Sequence, residues 1–86
     1  MNNADKRILR LIELLRFENK IKSIKDFCSE VNMFEQTITK IKKGTGHFTV
    51  NQIEIICKTY NVNSNWIFGT EKNVYRNAGS IEISVD

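Results

Sequence analysis

The stretch from Glu35 to Lys43, EQTITKIKK, carries the side chains in this chain best suited to recognition chemistry. Wound as a helix, it sets Glu35, Gln36, Thr39, Lys40 and Lys43 on one side, opposite Ile38 and Ile41. The amide of Gln36 can exchange two hydrogen bonds with an adenine edge. Thr39 can offer its methyl to thymine or its hydroxyl to either kind of partner. Lys40 can reach guanine or a phosphate, and Glu35 can accept from cytosine N4. Phosphate oxygens have candidate partners on both flanks: Lys42, Lys43, Thr45 and His47 after the stripe, and Ser23 and Lys25 before it. The plainer reading of such a stripe is a solvated helix face.

Other chemistries find less support. Cys28 and Cys57 stand at apolar helical positions, where a thiol is ordinarily a small buried hydrophobe. With no secretion signal at the N-terminus, both are expected to be reduced, in a cytoplasmic protein. His47 is the only histidine, with no carboxylate or thiol at diagnostic spacing, so a loop residue is expected and not a catalytic base. Two cysteines and one histidine at irregular spacing do not suggest a metal site. The sequence has no phosphate loop, nucleophile constellation or carboxylate pair that points to an enzyme. No cofactor or small-molecule ligand is expected.

The elements that must position the stripe follow from hydrophobic period and caps. Residues 5–18 place Ile8, Leu11, Ile12 and Leu15 at helical spacing, with Asp5 as the expected N-cap. Asn19 to Lys22 is a short polar connection. Ser23 starts a second helix, with Asp26 forming a near capping box and Phe27 and Val31 facing inward. The third helix spans Glu35–Lys43 and ends at Gly44-Thr45-Gly46. Between these two helices, Asn32 is the residue to take the left-handed conformation and make a sharp turn. Phe34 leaves the third helix without a side-chain cap. Thr49 and Gln52 form a capping box for a fourth helix that buries Ile53, Ile56 and Tyr60. Asn63 or Ser64 caps a last turn, Trp66 to Phe68, closed by Gly69. Beyond it, Ile81, Ile83 and Val85 alternate with polar residues, which is strand period.

With those elements in place, SIKDFCSEVNMFEQTITKIKKG resembles the lambda-repressor-like, Xre-type family of helix-turn-helix transcriptional regulators. Ser23 matches the cap of the second helix, Phe27 and Cys28 its apolar and small positions, and Gly44 the terminating glycine. Ile38 and Ile41 match the buried positions of the recognition helix. YNVNSNWIFG is similar to the family's closing segment. Ile24, Phe34 and Glu35 depart from the pattern: the family more often has glutamine, a small polar cap and glutamine there. The resemblance covers roughly residues 4–69. It implies an all-α, compact five-helix lambda-repressor-like domain over residues 1–69; the alternation after it is read as a short strand-like tail within residues 70–86. The resemblance also implies a small bacterial or phage regulator, expected to repress by occupying double-stranded DNA with residues 35–43 in the major groove.

Composition agrees with such a protein without selecting it. The chain has 86 residues, 41% hydrophobic and 27% charged, with a net charge of +3 and no proline. Residues 20–48 hold six lysines against three acids, whereas residues 49–86 hold three bases against four acids. The basic excess thus sits around the stripe, and a clustered excess favours a polyanionic partner. No apolar run approaches a membrane span. A homodimer is expected, through Trp66 and Phe68 or through a strand of Ile81, Ile83 and Val85. A second reading puts the same fold to work as a protein-interaction module, an antirepressor or antitoxin, with Glu35 and the small net charge in its favour. RNA binding is disfavoured because no aromatic stacking platform is visible.

Overall fold

In the computed structural model, which describes residues 2–76, the side chain of Asn2 accepts from the Asp5 N–H at 2.8 Å and starts α1 (Asn3–Phe17). The cap is therefore Asn2 and not Asp5, whose side chain has a different task described below. Ser23 caps α2 (Ile24–Glu30), accepting from the Asp26 N–H at 3.4 Å. The reciprocal bond is displaced by one residue: the Asp26 carboxylate takes the Lys22 N–H at 2.9 Å. Phe34 precedes α3 (Glu35–Lys42) and makes no side-chain cap. Thr49 and Gln52 exchange both bonds of a capping box at the start of α4 (Val50–Tyr60). Asn63 caps α5 (Ser64–Ile67), which starts at Ser64 and not at the expected Trp66, and Phe68 is its C-cap.

All five of these helices end on a residue in the left-handed conformation. Asn19, Asn32, Gly44, Asn61 and Gly69 have φ of 61°, 58°, 83°, 56° and 84°. In each case the next amide reaches back to a carbonyl five residues earlier. The bonds are Lys20 to Leu15, Met33 to Cys28, Thr45 to Lys40, Val62 to Cys57 and Thr70 to Asn65, at 2.8–3.0 Å. Each end satisfies carbonyls that the helix leaves open and turns the chain sharply. A chain without proline stops its helices in this way.

The stops fold the helices around one core. Ile8, Leu11, Ile12 and Leu15 give α1 its buried stripe, Phe27 and Cys28 come from α2, Ile38 and Ile41 from α3, Ile53 and Ile56 from α4, and Trp66 and Ile67 from α5. Connections add Ile21, Val31, Phe48 and Val62. Ile21 corrects the polar reading of residues 19–22: its side chain is buried while its neighbours are solvated. Tyr60 is half-buried and stacks on Phe27 with ring centroids 5.8 Å apart. Cys57 is half-buried and Cys28 buried, and both are free thiols.

The chain passes the expected boundary at Gly69 and stays on the helical unit through residue 76. Val62 and Tyr75 form an isolated antiparallel bridge, with Asn63 N–H donating to Val74 O at 2.8 Å and Arg76 N–H to Asn61 O at 3.0 Å. The Tyr75 hydroxyl donates to Glu18 at 2.6 Å, at the far end of α1. The result is a compact all-α architecture, with no sheet among the described residues. Ile81, Ile83 and Val85 lie outside them. None of the helices is long and apolar enough to cross a membrane.

Asn32 is exposed and its side chain makes no hydrogen bond among the described residues, so its backbone conformation can be tested alone. Asn32→Ala should destabilise the protein by about 1 kcal/mol, while Asn32→Gly should be at least as stable as the parent. Thermal unfolding of the three proteins checks this, with a shift of about 4–8 °C expected for alanine in a domain of this size.

Candidate nucleic-acid interface

Helix α3 is held from behind. Ile38 and Ile41 are 1% and 0% exposed, and α2 packs against the helix across the Asn32 turn. The opposite face carries Glu35, Gln36, Thr39, Lys40 and, at the C-cap, Lys43, all exposed. Among the described residues, the side chains of Glu35, Gln36, Lys40, Lys42 and Lys43 take no hydrogen bond or ion pair within the chain. The candidate base-reading side chains therefore share one solvent face of a helix whose other face is locked into the core.

Two of the candidate groups are partly committed. The Thr39 hydroxyl donates to the Glu35 carbonyl at 3.3 Å, which leaves its lone pairs and methyl to face a partner. The Thr45 hydroxyl donates to the Lys40 carbonyl at 3.1 Å, beside its own amide on the same oxygen, so it closes the end of α3. Ser23 is likewise committed to the Asp26 amide, and the Asp26 carboxylate in the first turn of α2 accepts from the Lys22 N–H. Lys25 is exposed in the first turn of that helix. Lys40, Lys42 and Lys43, at the C-terminal end of α3, take no ion pair among the described residues.

The acids near the stripe are disposed unevenly. Glu30 accepts from the Tyr60 hydroxyl. Burial first, and that hydrogen bond second, push the Tyr60 phenol well above its ordinary range. Glu35 lies in the first turn of a helix without a side-chain cap, where the positive end of the helix dipole favours a carboxylate. Burial, then the nearby charge of Glu35, raises the Cys28 thiol, so this cysteine is a packing residue and a poor nucleophile.

His47 departs from the expectation of an unpaired loop residue. Its Nδ1 lies 2.6 Å from Oδ2 of Asp5, 42 residues away in sequence. Oδ1 of the same carboxylate accepts from the Phe48 N–H at 3.0 Å. Asp5 is 1% exposed. Burying a carboxylate is costly without such partners, and the first turn of α1 adds the favourable end of a dipole. The pair fixes the segment after α3 to α1. With Nδ1 turned to the carboxylate, Nε2 is the ring nitrogen left to face a partner.

No family model, curated protein or solved structure matches this chain.

The proposed dimer residues separate sharply. Trp66 is 6% exposed, with the Arg7 guanidinium 5.6 Å from its ring centroid, so its surface is spent within the chain. A core plug and an interface residue compete for the same apolar surface, and here the core has it. Phe68 is 58% exposed. With Val50, Ile53 and Cys57 it lines an apolar groove of about 340 Å³.

Sequence reasoning missed Asp5, Phe48, Val62 and Tyr75. Only Asp5 carried a local signal, an acid in a helix's first turn, and that signal was absorbed by the cap assignment. Asp5→Ala should cost about 1–3 kcal/mol, because it strands the Phe48 N–H in a buried site. Asp5→Asn, which keeps an acceptor for that amide, should cost less. Denaturant unfolding of both variants checks the order.

Proposed function

We propose that this protein binds double-stranded DNA sequence-specifically, in the manner of lambda-repressor-like regulators, with α3 in the major groove. The observation that carries the reading is the unengaged polar face of α3, with Gln36, Lys40 and Lys43 exposed on a helix anchored by Ile38 and Ile41. Gln36 and Thr39 read base edges, Lys40 reaches guanine or a phosphate, and Lys42 and Lys43 bind phosphates. Asp5 sets the orientation of His47 beside them. Regulation is by occupancy: the protein represses by covering an operator and performs no chemistry. Two copies place two α3 helices in half-sites about one helical turn apart, joined through Phe68 and the groove beside it.

A second reading, a protein-interaction module on the same helices, is favoured by Glu35. An exposed carboxylate on the reading face is repelled by phosphates and would suit a basic protein partner.

Selection of bound duplexes from a random library at near-physiological salt separates the two. A two-fold consensus supports DNA reading, whereas recovery without a consensus supports the interaction module. On the selected duplex, Gln36→Ala should lose about 1–3 kcal/mol of preference at one base pair. Lys43→Ala should weaken all duplexes alike and lower the salt slope by about one. Equal loss of specificity from both changes would contradict these roles.

Phe68 is exposed, so Phe68→Lys should leave the fold intact and shift sedimentation from dimer to monomer. A Phe68→Lys protein that still sediments as a dimer places the interface elsewhere.

A further inference from the structure

Phe34 breaks two local rules at one position. It is the N-cap of α3, where serine, threonine, aspartate or asparagine would accept a hydrogen bond from the first turn, and it makes no such bond. Its ring is also 80% exposed. Exposing an aromatic ring forgoes its hydrophobic gain. The backbone does not require phenylalanine either: φ of −90° and ψ of 142° suit any residue in the extended region. Neither stability nor backbone geometry selects this side chain, and places where several local rules fail together mark function.

Its position says which function. Phe34 directly precedes Glu35 and Gln36, at the end of the helix whose N-terminal residues meet base edges in a major groove. Among the described residues, the other exposed large hydrophobics lie elsewhere: Phe17 at the end of α1, Val50 and Ile55 on α4, and Phe68 after α5. In the major groove the base edges present donors and acceptors with one apolar exception, the thymine 5-methyl group. We propose that Phe34 is a specificity-determining residue that packs on a thymine methyl at the edge of each half-site. The inference rests on α3 as the DNA-reading helix.

Replacing thymine by deoxyuridine removes this methyl and nothing else. The test uses the full chain and its selected duplex, with each thymine replaced in turn. One replacement per half-site should weaken wild-type binding about fourfold, the factor expected for burying one methyl-sized group. Phe34→Ala should bind the thymine and uridine duplexes equally. Phe34→Ser should move two readouts in opposite directions, raising the melting temperature by restoring a cap while weakening binding. A merely structural phenylalanine would lower both or change neither. The assignment of Phe34 is overturned, with α3's reading left standing, if no thymine position is sensitive or if the sensitivity persists in Phe34→Ala. A chain that selects no duplex at all overturns both.

Discussion

The carboxylate of Asp5, buried in the first turn of α1, accepts from the Phe48 amide and pairs with His47. Those two residues end the connection from α3 to α4. The carboxylate thus fixes where the chain goes after α3, while the Asn32 turn fixes where it comes from. A short helix of eight residues has too little length to hold its own orientation. It is oriented here by constraints at both ends and by Ile38 and Ile41 underneath. Loosening either end would let the outward face drift, and recognition through side-chain geometry tolerates little drift.

The left-handed stops serve the same purpose. Each closes a helix with backbone hydrogen bonds and redirects the chain within two residues. This economy lets residues 2–76 fit five helices around one core. Three of the stops are asparagines, which adopt the conformation at modest cost, and the conformation leaves their side chains in solvent. The helices most exposed to consequence are α2 and α3, because their mutual angle rests on one such residue.

The face that results is chemically mixed. Lysines at the end of α3 supply positive charge, Gln36 and Thr39 supply directional groups, and Glu35 and Phe34 supply a negative charge and an exposed ring that serve no packing need. A uniformly basic helix would bind nucleic acid without discrimination. A face with an acid, an amide and an exposed ring at its leading end has groups that can refuse a partner as well as accept one.

The sequence by itself determined the first four helices, the caps at Ser23 and Thr49, the left-handed turn at Asn32, the stop at Gly44, and the division of α3 into a buried and an exposed face; it left the last cap open between Asn63 and Ser64. These rest on interactions that span one or two turns, so a short window of residues contains both partners. Tertiary structure alone decided the rest. Asp5 and His47 are 42 residues apart, and Tyr75 meets Glu18 across 57, with no spacing that announces either pair. Ile21, Phe48 and Val62 sit in connections, where no period marks an inward side chain. Trp66 belongs to the core and Phe68 to the surface, although both are aromatic and two residues apart. Burial is a property of what surrounds a side chain, and that is known only once the helices are packed.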